Sequence, residues 1–160
     1  MQLYNFFEIF NSIYLKSAFL AWFIAQVLKI PFNYMVTKEL DFKRAWGSGG
    51  MPSSHTAGIV AVTVSIGMTK GFDSAMFAVP AVMSTIVMYD AAGVRRAAGK
   101  HAKIINEIRE SILTNKEISQ EQLKELIGHT PFEVAGGFVL GIIVGVVTTL
   151  IRFNVQNVFK

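Results

Sequence analysis

The chain contains no cysteine. Disulfide bonds and thiolate-metal sites are therefore excluded, and the redox compartment leaves no mark on the sequence. Charge is scarce too: only 16% of the 160 residues are Asp, Glu, Lys or Arg, against roughly 25% in an ordinary soluble domain. No internal repeat and no low-complexity tract stands out. No small-x-small cleavage site follows the first apolar block, which also carries Lys16, so a cleaved signal peptide is not expected there. Apolar residues, by contrast, make up 52% of the chain and come in long blocks instead of at helical spacing. That pattern means a membrane protein. The formal net charge of +4 fits anionic lipid head groups better than nucleic acid, because the basic residues flank the apolar blocks.

One membrane domain over residues 1–160 is expected, all-α, as a helical bundle of about four apolar helices plus an interfacial amphipathic helix. The blocks run from about Phe10 to Ile30, Thr56 to Met68, Ala75 to Met88 and Val134 to Ile151. A spanning helix needs about 20 apolar residues. The outer two blocks meet this, whereas the middle two either extend into their polar flanks or form a shallow hairpin turning at Lys70-Gly71-Phe72-Asp73. Both options put the segments 31–54 and 91–131 on one face. Lys29, Lys38, Lys43, Arg44, Arg95, Arg96, Lys100, Lys103, Arg109, Lys116 and Lys124 belong to that face, against Lys70, Arg152 and Lys160 (with Lys16 nearby) on the other. The positive-inside bias makes the first face cytoplasmic, in the plasma membrane of a bacterium. From Val94 to Leu113, apolar residues at helical spacing (Ala97, Ala98, Ile104, Ile105, Ile108, Ile112) predict a helix lying along the interface. A shorter helix is expected over Gln120–Ile127.

Three constellations on that face could carry chemistry. In Trp46-Gly47-Ser48-Gly49-Gly50-Met51-Pro52-Ser53-Ser54-His55, glycines and serines run into a helix start, whose free N–H groups suit an anion. His55 could give a proton to a leaving oxygen; the structural alternative is a plain turn and N-cap. In Tyr89-Asp90-Ala91-Ala92-Gly93-Val94-Arg95-Arg96, an aspartate ending an apolar block is costly unless paired. The adjacent arginines suit bidentate phosphate contact, or else Asp90 caps a helix and the arginines bind lipid head groups. Lys100 and His101 read as a solvated helix face. In Gly128-His129-Thr130-Pro131-Phe132-Glu133, Glu133 could orient His129 as a nucleophile or base. Thr130 to Glu133 also fits a capping box, which on this segment alone explains Glu133 but not His129.

Together these segments resemble the type 2 phosphatidic acid phosphatase superfamily, which includes acid phosphatases and vanadium-dependent haloperoxidases, and more closely its divergent membrane branch. Pro52-Ser53-Ser54-His55 is similar to the superfamily's Pro-Ser-x-His signature, with Ser54 where glycine is usual. His129, then Glu133-Val134-Ala135-Gly136-Gly137, resembles its final signature of His, three residues, Asp and small residues. The resemblance implies a membrane lipid-phosphate or lipid-diphosphate phosphatase working through a phosphohistidine, with no metal and no cofactor. His129 would attack phosphorus, Glu133 would orient it and His55 would protonate the leaving group. Ser53, Ser54, Arg95, Arg96, Asp90, Lys43 and Arg44 would bind substrate. The superfamily's first signature, a lysine and an arginine-proline pair, is missing, with only Lys38, Lys43 and Arg44 nearby. The arginine expected shortly before the nucleophile is also absent from Gln122 to Gly128, leaving Arg95 or Arg96 to replace it. Four apolar blocks stand where six are usual, and a homodimer would complete the bundle. Two other classes fit the same residues: a non-hydrolytic lipid-phosphate binder or transporter, and a Mg²⁺ enzyme using Asp90, Glu133 and Glu107. A vanadate-dependent oxidant suits a lipid-embedded chain least.

Overall fold

The computed structural model describes residues 6–42, 49–112 and 128–158. A short 3-10 turn at Phe6–Asn11 precedes five helices: α1 (Ile13–Thr37), α2 (Ser54–Lys70), α3 (Ala75–Ala92), α4 (Val94–Ile112) and α5 (Pro131–Val158). Every apolar block is longer than the sequence suggests. α1 continues through Pro31, where the missing N–H forfeits one backbone bond that a membrane helix in a bundle tolerates. It stops at Lys38, whose left-handed φ of 60° lets its N–H bond the Tyr34 carbonyl. The expected helix over Gln120–Ile127 falls outside the described residues.

Helix α2 is central and packs against α1, α3 and α5. The middle blocks form the helices α2 and α3, joined by a turn at residues 71–74. At one end of α2, the Ser53 N–H bonds the Glu133 carbonyl at the start of α5, 2.9 Å away. At the other, Tyr14 at the start of α1 shares a 2.9 Å hydroxyl bond with Thr69. The 17 residues of α2 cover about 25 Å at 1.5 Å per residue, most of the thickness of an apolar layer, and α2 runs antiparallel to α1 and α3 but parallel to α5. Three described helical stretches are long and apolar enough to cross a membrane: Ile13–Thr37, Ala75–Asn106 and Pro131–Val155. The protein is an all-α integral membrane bundle.

Its packing inverts that of a soluble core. The buried residues are small (Ala21, Ala25, Ala57 and Ala61), while Phe19, Phe23, Met76, Val79 and Val139 point outward. With lipid outside, helices gain from close approach instead of from burying large side chains. α5 shows this best. Gly137, Gly141 and Gly145 repeat every fourth residue and face α2, where a methyl at Gly141 would stand 2.7 Å from the Ala57 carbonyl oxygen.

Buried hydroxyls tie the helices further. Ser65 donates to Ser17 of α1 at 3.0 Å and reaches the Gly145 carbonyl of α5 at 3.3 Å, and Thr63 meets Ser84 of α3 at 2.9 Å. Such interhelical bonds are each worth about 0.6 kcal/mol on average in a membrane. Ser65→Ala should therefore lower stability by about that amount, measured as reversible unfolding in mixed micelles, with no change in fold.

The interfacial helix predicted for 94–113 is present as α4. Its isoleucines Ile104, Ile105 and Ile108 are exposed, and the inward face is Gly99, Ala102 and Asn106. The apolar stripe thus faces away from the protein, as a helix lying in the head-group boundary requires.

Candidate active site at one end of the bundle

Two backbone hydrogen bonds draw the three polar motifs to the same end. The His129 N–H donates to the Ala91 carbonyl at 3.0 Å, which fastens the last loop to the end of α3 beside Asp90. The Ser53–Glu133 bond fastens the start of α2 to the start of α5. Between them lies a cleft of about 390 Å³, lined by His55, Ile59, Ile86, Val87, Asp90, Ala91 and His129. His55 is exposed, Asp90 half-buried and His129 buried. Two imidazoles distant in the chain thus share one cleft.

Glu133 holds His129. Its Oε2 lies 3.3 Å from His129 Nδ1 and accepts the Thr130 N–H at 2.7 Å, while the Glu133 N–H reaches the Thr130 hydroxyl at 3.3 Å. The capping box and the histidine contact, competing readings of Glu133 in the sequence, coexist on one oxygen. The cap fixes the carboxylate rotamer, and the fixed carboxylate fixes the ring. With Nδ1 engaged, Nε2 is the nitrogen left for the cleft that His129 lines.

The remaining predicted residues divide. Ser53 and Ser54 are buried and do not line this cleft. Ser53 is the N-cap of α2, and its hydroxyl accepts from Thr56 at 3.0 Å. Gly137 on α5 comes close to the Ser53 carbonyl, which presses the first turn of α2 against α5. Arg95 and Arg96 belong to the first turn of α4, immediately beyond the Gly93 break; their side chains lie outside the described ones, as do Lys43 and Arg44 entirely. His101 is exposed on α4 and absent from the cleft lining. The sequence reading missed Lys29. It ended the first block there, yet the residue is 3% exposed and lines a second cleft together with Glu133. An ionisable residue inside an apolar helix was the available signal.

The helical bundle that brings these motifs to one end is an integral membrane protein. The chain belongs to the divergent PAP2 family, which matches residues 10–144. It is 37% identical over 151 residues to the uncharacterized membrane protein YuiD of Bacillus subtilis (strain 168), covering 88% of this chain and 96% of that protein. No solved structure matches.

Proposed function

We propose that the protein is a membrane lipid-phosphate or lipid-diphosphate phosphatase that works through a phosphohistidine on His129. The observation that carries this reading is the single cleft lined by His55 and His129, with His129 held through Nδ1 by Glu133. The Nε2 lone pair attacks phosphorus, the bond from phosphorus to the leaving oxygen breaks, and His55 gives that oxygen its proton. Water then cleaves the phosphorus–nitrogen bond, with His55 taking the proton back. We assign charge stabilisation to Arg95 and Arg96, with Lys43 and Arg44 from the sequence before α2, since phosphoryl transfer is mostly positioning and electrostatics.

Apolar walls support a lipid substrate. Ile59, Ile86 and Val87 line the cleft, and Ile86 is also exposed on the outer face of α3. An acyl or prenyl chain can lie there while its phosphate reaches the histidines. We assign this end to the cytoplasmic side, a reading supported by the excess of Lys and Arg in the segments that flank it.

Purified protein in nanodiscs should release inorganic phosphate from a polyprenyl or diacylglycerol phosphate. His55→Asn should slow release by about 10² to 10⁴ with an alkyl leaving group, the usual range for general acid catalysis. It should cost much less with an activated aryl phosphate, whose oxygen leaves without a proton. Equal losses on both substrates would remove His55 from that role. Head-group binding without turnover, unchanged by loss of His129, would instead identify a binder or transporter.

A further inference from the structure

Lys16 and Arg152 have no part in the site described above, and they stand at the opposite end of the bundle. The Tyr14–Thr69 bond ties the start of α1 to the end of α2. The far half of α5 runs to the same end, because Gly137, Gly141 and Gly145 meet α2 in ascending order, at Ser53, Ala57 and Ala61. A cleft of about 290 Å³ lies there between the two helices, with Ile13 and Lys16 of α1 and Ile151, Arg152 and Val155 of α5 among its walls. Asn11, which ends the turn before α1, adds an amide. The volume is close to the lower bound of about 300 Å³ for a small-molecule pocket.

Depth and charge say what fits. Lys16 falls in the first turn of the spanning stretch that begins at Ile13, and Arg152 in the last turn of the one that ends at Val155. Both residues are exposed, just inside the boundary where head groups begin. A lone cation at such a position needs only to snorkel into the interface. Two cations from opposite ends of the chain that line one cleft are a different arrangement. This end is poor in basic residues compared with the histidine end, yet two of them meet here. Among the described residues lining the cleft there is no carboxylate to neutralise them, and like charges gathered at a membrane boundary repel unless an anion lies between them. Guanidinium and ammonium together suit a phosphate, the first as a fork and the second as a point charge. The walls select its source. Ile151 and Val155, one turn apart on α5, are exposed to the surroundings of the bundle, so an acyl chain can run from the cleft along them. A free phosphate would gain nothing from that surface.

We propose that this cleft is a binding site for the phosphate head group of an anionic phospholipid in the leaflet opposite the histidine cleft, with Lys16 and Arg152 on the phosphate and an acyl chain along Ile151 and Val155. A basic pocket between membrane helices is a recognised setting for such a head group. The bound lipid bridges the start of α1 and the end of α5. The site stands independently of the phosphatase reading, since none of its residues belongs to the histidine cleft.

The test titrates the full-length protein in mild detergent with phosphatidylglycerol and with phosphatidylcholine, and counts retained lipid by native mass spectrometry. One phosphatidylglycerol should be held more tightly than phosphatidylcholine. Lys16→Gln and Arg152→Gln should each weaken its retention by about fivefold or more, the worth of one cation beside an anionic lipid. Lys70→Gln removes a charge from the same end but outside the cleft and should leave retention unchanged. An equal loss in Lys70→Gln, or no preference for the anionic lipid, overturns the proposal. Inorganic phosphate should fail to displace the lipid; displacement would mark a site for the free ion and overturn the lipid assignment. A second measurement needs no substitution and serves if the glutamine variants do not fold. Photoactivatable phosphatidylglycerol in nanodiscs should label residues 11–16 and 148–155 of the unsubstituted protein, and unlabelled phosphatidylglycerol, but not phosphatidylcholine, should compete that labelling away. Labelling confined to other segments, or competed equally by both lipids, overturns the proposal.

Discussion

Replacing His129 by alanine should abolish phosphate release, with a loss on the order of 10⁴ to 10⁶, the scale seen when a covalent nucleophile is removed from an enzyme that depends on it. Among the described residues that line the cleft, no other side chain can take over the attack. Asp90 is on the same wall, but as a carboxylate it repels an anionic phosphate and would give a labile mixed anhydride. His55 lacks the Glu133 contact that holds His129 in one orientation. His101→Ala should leave the rate unchanged, since that ring is exposed on α4 and outside the cleft. The covalent intermediate gives a second readout: brief exposure to ³²P-labelled substrate, followed by an alkaline quench, should leave acid-labile label on the unsubstituted protein and none on His129→Ala. Comparable rates in the His129 and His101 variants would end the phosphohistidine mechanism.

Glu133 shows how much of this was legible from the residues. The sequence offered two uses for it, a reciprocal cap with Thr130 and a hold on His129, and treated them as rivals because each is a local pattern on the same four positions. In three dimensions one oxygen serves both. The four apolar blocks and the amphipathic helix were visible because hydropathy and periodicity are local properties. The ends of α1, α2 and α3 were not, because Pro31, Ser54 and Asp90 sit in polar or helix-breaking stretches that only packing against a neighbour keeps helical. The burial of the two serines was hidden for a related reason. A Pro-Ser-Ser-His string says that a helix begins there, but not which way its first turn faces, and that turn is pressed against α5. Lys29 was passed over because Glu133, which lines the same cleft, is supplied by the last helix.

The second large effect requires no change to any charged group. Gly141→Leu should unseat α5 from α2. Its first side-chain carbon alone would come within 2.7 Å of both the Ala57 carbonyl oxygen and Val60 Cβ. Neither neighbour is the free end of a flexible chain, so the helix axes must part. Overpacking of this kind costs about 1 to 3 kcal/mol where a core can adjust, and a branched four-carbon side chain between two backbones should reach or exceed the top of that range. Gly136→Ala is the matched control. Its neighbours are the side chains of Met51 and Pro52, the nearest being the flexible Met51 Cε at 3.0 Å, so its cost should stay below about 1 kcal/mol. Unfolding in mixed micelles measures both. The consequence reaches the cleft as well, because the Ser53–Glu133 bond lies at the top of the same glycine face and couples the start of α2, with His55, to the start of α5, with Glu133. Parting the helices draws His55 away from His129, so Gly141→Leu should lose phosphate release even in detergent where it remains helical. Stability and activity equal to those of Gly136→Ala would show that α2 and α5 are not in backbone contact, and the convergence of the three motifs would lose its structural basis.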